Sequence, residues 1–376
     1  MAEYLTPVDI GNRALQHCGV PRITAFTDDM KGAAEAGFTY DKVRIAELRR
    51  NAWRFSIRKA ALRAIGDNTM FLDPAAYQAA NTYPEGAIVA WQDAIYFAST
   101  EVPISTPPDS NPAYWTIYFG PLTAEPWDST VAYYSGELVY VLSNNVVSVY
   151  MSLLTGNSDD PTAIAAWDSG TTYFKGDTVT YSAATWQSKA DLNIGNTPVV
   201  GAYWDAIPVT QSDSMAGQNW LKLDAALIHQ RIDYPIQAGP RNQSTTRNVF
   251  RLPNGFLREA PQDSKQGIVS YLGAPSGLPY DDWVLEGNWL VSRDEQVIIL
   301  RFVADVADVT LMDPMFCEGF AARLALEIVE PLTQSNGKLQ TISQVYRTFM
   351  GEARAVNGIE TGTTEPPLDD YISARL

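Results

Sequence analysis

The sequence predicts an α+β chain: a discontinuous, mainly helical body with a small β-sheet, interrupted by an all-β insert of about three small aromatic-rich modules. Three observations carry that expectation. Charge is spread unevenly, the middle of the chain repeats itself, and clear helix signals are confined to the two ends. The 376 residues are 46% apolar, enough for two or three domains with real cores. Residues 1–66 hold 11 Lys and Arg against 7 Asp and Glu, residues 67–210 only 2 against 15, and residues 211–376 14 against 21. The middle block also carries 6 of the 10 Trp and 12 of the 19 Tyr. Shifts this sharp mark an insertion. The expected divisions are a body of residues 1–70 and 211–376, and modules at 71–122, 123–166 and 167–210.

The flanking elements follow from capping and periodicity. Thr6, Pro7 and Asp9 supply an N-cap, a first-turn proline and an acid at the third position, and Gly19 and Pro21 close that helix. A longer helical pattern runs from Gly32 to about Arg63, with a break or kink expected at Asn51–Trp53. Arg50, Arg54 and Arg58 would share one face if the helix continued through that point. Asp313-Pro314 starts a helix through Phe316, Phe320, Leu324 and Ile328, expected to stop at Pro331. A last helix runs through Leu339, Ile342, Val345, Tyr346 and Phe349 to Asn357-Gly358. Short β-rich runs at 248–252, 267–272, 283–285 and 296–303 predict the small sheet. The tail from Gly362 is expected to be extended until a partner binds it.

Within the insert, Trp127-Asp128-Ser129 repeats as Trp167-Asp168-Ser169, and at the same offset Tyr133, Gly136, Glu137 and Val139 meet Tyr173, Gly176, Asp177 and Val179. Val149-Tyr150-Met151-Ser152 then meets Thr185-Trp186-Gln187-Ser188, and Gly156-Asn157 meets Gly195-Asn196, with Trp167 and Trp204 closing the two units. A fainter copy runs through Tyr77, Tyr83, Gly86, Val89 and Tyr96 to Trp115. Each unit reads as a hairpin-based module that relies on large aromatics for its core. The pattern resembles the small carbohydrate-binding modules attached to chitinases and cellulases, most closely over Trp167–Ile207. That resemblance implies glycan contact through Tyr173, Tyr181 and Trp186, because a pyranose stacks its C–H face on an aromatic ring. The alternative, in which the repeated aromatics are core, stays open for all of them.

The flanks carry a second resemblance. Ile10-Gly11-Asn12-Arg13-Ala14-Leu15 through Leu48-Arg49-Arg50-Asn51-Ala52-Trp53-Arg54-Phe55, then Phe250-Arg251-Leu252-Pro253-Asn254-Gly255-Phe256-Leu257-Arg258, then Val297–Phe302 leading into Asp313-Pro314 and Ala321–Ala325, are similar to the tail tubular, or head-to-tail adaptor, proteins of short-tailed bacteriophages. The closing Ser373-Ala374-Arg375 fits the same pattern. The resemblance implies a structural protein of the virion at the head–tail junction, made in the host cytoplasm. It implies a ring of twelve copies between the portal protein and the tail nozzle protein, forming part of the DNA ejection conduit. Arg50, Arg54, Arg58 and Arg375 become candidate contacts to the portal or a neighbour, and the modules face outward to tail fibres or host surface glycan.

Composition limits the alternatives. A net charge of −16 argues against tight binding of the DNA that passes through. Two cysteines without CxxC spacing give no disulfide framework, and two histidines give no metal site, so neither cofactor nor metal is expected. The N-terminal MAEYLTPVDI has no basic n-region or apolar h-region, and no stretch reaches the ~18 apolar residues of a membrane span. Catalysis is not expected. Asp159-Asp160 and Asp281-Asp282 are adjacent acids of the loop kind, while His17, His229 and Cys18 lie in no nucleophile motif. A glycan-binding receptor or accessory protein of the tail, or a glycan hydrolase carrying such modules, is the competing reading.

Overall fold

The computed structural model describes residues 4–66, 68–92, 94–143, 146–164, 166–173, 178–207, 219–225, 228–229, 248–260, 284–292 and 296–361. Helix and strand are nearly balanced at 30% and 32%, with the strands in five sheets. This corrects the expected mainly helical body with a small sheet: the chain is β-rich. The difference lies in segments that read as helix or loop. Ile57–Arg63, expected to prolong the second helix, is a strand, and Phe256–Glu259 and Trp289–Ser292 add strands beside those foreseen. The stretch 267–272, Trp283 and the tail from residue 362, with Arg375, lie outside the described residues.

Contacts divide the chain into two units. The first comprises Met1–Lys59, Gly255–Asp281 and Arg301–Leu376; the second comprises Ala60–Asn254 and Asp282–Leu300.

The first unit holds four α-helices. α1 (Pro7–Cys18) begins with the capping box read from the sequence: Asp9 N–H donates to the Thr6 side chain while the Asp9 carboxylate accepts from Thr6 N–H. Gly19 at φ 67° ends it. α2 (Lys31–Arg50) stops at Asn51, whose backbone is extended. Trp53 explains why no helix resumes. Its indole N–H donates to the Glu47 carbonyl, and its buried ring meets Phe316 edge-on at 5.0 Å, which fixes the chain leaving the helix. α3 (Pro314–Thr333) starts at the predicted cap, with Asp313 accepting from Met315 and Phe316 N–H. It runs past Pro331, which sits in the last turn, to Thr333. Phe316, Phe320, Leu324 and Ile328 recur every four residues along α3 and are fully buried. α3 packs on α1, α2 and α4 (Asn336–Thr361). A Cβ on Gly319 would stand 2.9 Å from the Met350 Cε and 3.4 Å from its backbone nitrogen, so α3 and α4 approach closely there and a larger residue would have to displace the methionine end.

The second unit contains three modules built alike. Each opens with a hairpin: Ala87–Trp91 with Ala94–Ala98, Leu138–Ser143 with Val146–Ser152, and Thr178–Tyr181 with Ala184–Ser188. The registers correspond, with Val89 opposite Tyr96, Val139 opposite Tyr150 and Val179 opposite Trp186. A third strand then closes each module and carries its buried tryptophan: Trp115–Ile117, Trp220–Ala225 and Trp204–Ile207.

The closing tryptophan of the second module is therefore Trp220, and Trp167 instead opens the third. The entire third module is spliced in between the second module's hairpin and its closing strand. Modules one and two lie in one nine-stranded sheet, joined where Asp224 and Ala225 pair in parallel with Ala87 and Ile88. Module three has its own three-stranded sheet and a small two-stranded one.

Candidate functional site

Two interactions recur in all three modules and show what the repeated aromatics do. A tyrosine hydroxyl accepts a backbone N–H five residues upstream: Gln78 to Tyr83 (2.7 Å), Asp128 to Tyr133 (2.7 Å) and Asp168 to Tyr173 (2.8 Å). The same ring meets the closing tryptophan near edge-on: Tyr83–Trp115 at 5.4 Å, Tyr133–Trp220 at 5.5 Å and Tyr173–Trp204 at 5.3 Å. Each closing indole N–H in turn donates to a loop carbonyl, on Thr106, Asp159 or Asn196. Buried Tyr and Trp need such partners for their polar ends. Tyr173 is thus a core residue with its hydroxyl in use, and it offers no face to a ligand.

Tyr181 and Trp186 are half-buried. Trp186 packs against the module core and its indole N–H donates to the Tyr181 carbonyl at 3.2 Å. The Tyr181 ring stands edge-on to Trp167 at 5.4 Å, as Trp91 stands to Tyr77 at 5.3 Å in the first module. In the register of this sheet Val179, Tyr181 and Trp186 share the core face. Tyr173 therefore belongs to the module core, while Tyr181 and Trp186 pack at its edge and keep part of their surface exposed. Gly176 and Asp177 of the repeat lie outside the described residues.

A second pair of interactions went unread in the sequence. The Asn157 side chain donates to Ser152 Oγ (3.1 Å) and to the Asn219 carbonyl (3.0 Å). Asn193 donates likewise to Ser188 Oγ (3.1 Å) and the Tyr203 carbonyl (3.3 Å). Each asparagine ties its hairpin to the residue before the closing tryptophan. The counterpart of Asn157 is Asn193, not Asn196, and the shared Ser-x4-Asn spacing was the available signal.

The arginine candidates do not share a helix face. Arg50 ends α2, Arg54 lies in a 3₁₀ turn (Arg54–Ser56) and Arg58 in the strand Ile57–Arg63. Arg50 pairs with Glu47 at 3.1 Å and donates to the Tyr346 hydroxyl. Arg58 donates to the Phe55 and Ile57 carbonyls, and burial lowers its pKa. Glu47 is the organising residue that sequence reading missed. It is 1% exposed and also faces Arg323 at 3.4 Å, with Tyr346 donating to it, so one carboxylate links α2, α3 and α4. Beside these residues a cavity of about 370 Å³ is lined by Trp53, Arg54, Phe55, Met312, Ala353 and Asn357, among others.

A charged cluster marks the start of the second module. Arg63 forms a two-pronged pair with buried Glu137 (2.9 and 3.3 Å) and lies over the Tyr133 ring at 5.2 Å. Glu137 also accepts from Tyr134 N–H, so the acid at this repeat position has a structural role. Nearby Glu125 accepts from the Thr69 hydroxyl, and burial pushes its carboxyl up to about 7.

Neither cysteine of the first unit is poised as a nucleophile. Burial raises the thiols of Cys18 and Cys317 to about 11 and about 12, and burial together with Arg13 lowers His17. Among the described residues no three His, Cys, Asp or Glu side chains gather as a metal site, and no helix is long and apolar enough to cross a membrane. No family model matches the chain, and no curated protein matches it.

Proposed function

We propose that the chain is a structural subunit of a bacteriophage particle, a head-to-tail adaptor that assembles as a ring between portal and tail nozzle. Its β-modules serve as outward docking platforms for other tail proteins. The observation that carries this reading is the path of the chain. The helices Pro7–Cys18, Lys31–Arg50, Pro314–Thr333 and Asn336–Thr361 belong to one unit, and Ala60–Asn254, which lies between them in sequence, belongs to a second unit that holds the three repeated modules. A subunit of that design separates a self-assembling part from a part that decorates it. Glycan contact is the weaker role within this reading, because Tyr173, one of the three aromatics it relied on, lies in the module core with its hydroxyl in use.

The test is electron microscopy of the purified protein, alone and mixed with the portal protein of the same particle. Rings that stack on the portal, with density projecting outward, support the proposal. A protein that stays monomeric with the portal present and binds chitin oligosaccharides overturns it.

A further inference from the structure

We infer that the loop end of the third module is a docking surface for a protein that presents an apolar centre inside a basic rim. The adaptor reading enters only in saying where that protein is sought, namely in the same particle. Five large apolar side chains stand exposed within residues 192–203: Leu192 (70%), Ile194 (53%), Val199 (61%), Val200 (75%) and Tyr203 (47%). Hydrogen bonds hold the two halves of this stretch together. Lys189 N–H and the Asn193 side chain both donate to the Tyr203 carbonyl, and the Trp204 indole donates to Asn196. Exposed apolar clusters of a few hundred Å² are uncommon on soluble proteins and mark interaction sites.

Leu192 gives the strongest indication. It holds φ 56°, a left-handed conformation, directly before Asn193. The sister module has Gly156, at φ 84°, directly before Asn157. A leucine there costs about 1 kcal/mol relative to glycine. With 70% of its surface exposed, the side chain recovers little of that cost through packing within the chain. A strained, solvent-facing leucine is expected where a partner covers it.

Charge selects the partner. Residues 166–207, the third module, carry four acidic against two basic side chains. At the patch itself Asp191 is exposed, and Asp205 is exposed and paired with Lys189 at 3.0 Å. Such a surround repels a second copy of the module, nucleic acid and anionic lipid, and it steers in a face rimmed by Lys and Arg. Four of the five side chains are aliphatic and lack the stacking face that a sugar requires. An interface of this kind has an apolar centre and a polar rim.

The experiment compares the full chain with a variant carrying Leu192→Gly, Ile194→Thr, Val199→Thr and Val200→Thr. The probes are the net-basic structural proteins of the same particle, each purified, with binding measured by interferometry at low and high salt. One of them is expected to bind the unaltered chain with salt-sensitive association, and to lose about 100-fold in affinity for the variant. Thermal unfolding of the variant is expected to match or exceed that of the parent, and ring formation and portal binding to be unchanged. Equal binding of every probe to parent and variant, or binding that salt leaves untouched, overturns the proposal. A chain that forms no ring refutes the adaptor reading, and the same binding series still scores the patch.

Discussion

The second and third modules share a framework and differ in how much of their outline is covered. In both, a tyrosine hydroxyl braces the opening loop, that ring meets the closing tryptophan, and a Ser–Asn pair ties hairpin to closing strand. The second module is flanked on both sides. Glu125 and Pro126 pair in parallel with Val139 and Tyr140, and its closing strand pairs with Ala87–Ile88 of the first module. The third module has the same lead-in only as an isolated parallel bridge, Ala166 to Thr180, and among the described residues its sheet ends at Trp204–Ile207. The comparison teaches that the framework alone specifies the module, while edges and loops remain available for other work.

Removing the closing tryptophans tests that separation most severely. Deleting a buried indole costs about 3–5 kcal/mol in either module. Trp204→Ala is expected to raise amide exchange only within residues 178–207. Trp220→Ala is expected to deprotect 138–152 and 87–98 together, because its strand joins two modules. Exchange mass spectrometry that finds 138–152 deprotected by Trp204→Ala would show that the splice has no independence.

The second module's added element is the Arg63–Glu137 pair. Arg63→Ala leaves a carboxylate that is 2% exposed without its partner, a loss of about 3–5 kcal/mol in chemical denaturation. Arg63→Met with Glu137→Leu is expected to recover most of it, since an apolar pair of similar volume avoids burying charge. Failure of the double variant to recover stability would place the cost in the Arg63–Tyr133 stacking instead.

These elements also show what the sequence disclosed. Capping residues and the Trp, Tyr, Gly and Val of the repeats were legible, because each acts through local geometry or fixed spacing. Trp220 was not, because 41 residues, from Trp167 through Ile207, were read as following a module that had already closed, when they interrupt it. Ile57–Arg63 was misread for a related reason. Its Ala-Ala-Leu composition suits a helix, and only Trp53, anchored back to Glu47, ends the helix before it. Tyr173, Tyr181 and Trp186 were legible as aromatics but not by direction, since a strand's two faces exchange with a one-residue change of register. The tertiary roles of Glu47 and Glu137 were not legible, because the partners that define them, Arg323 and Tyr346 for one and Arg63 for the other, lie far along the chain.

The lead-in strand of the second module carries a pH-dependent contribution. Glu125 is held near 7, above its ordinary 4.5, mainly by burial, with Thr69, Gly66 and Arg63 opposing the shift. A carboxyl raised on folding favours the protonated native state. Its contribution to stability is therefore full below the unfolded value, declines as pH rises from about 4.5 to about 7, and is lost above that. Urea midpoints measured across this window should fall with pH more steeply in the parent than in Glu125→Gln. Identical slopes would remove Glu125 as the cause.

The smallest effect isolates the difference on which the docking proposal depends. Leu192→Gly should stabilise the third module by about 1 kcal/mol, because glycine adopts φ 56° without penalty and little packing is given up. Gly156→Leu should destabilise the second by a similar amount. A Cβ at Gly156 meets nothing within 4 Å, so conformation rather than crowding sets that cost. The two substitutions exchange the residues of equivalent positions, and opposite signs of similar size in denaturant midpoints would show that both modules impose the same backbone. A loss of stability in Leu192→Gly would instead mean that the leucine already packs within its own chain, and the exposed patch would then have no strained residue to explain.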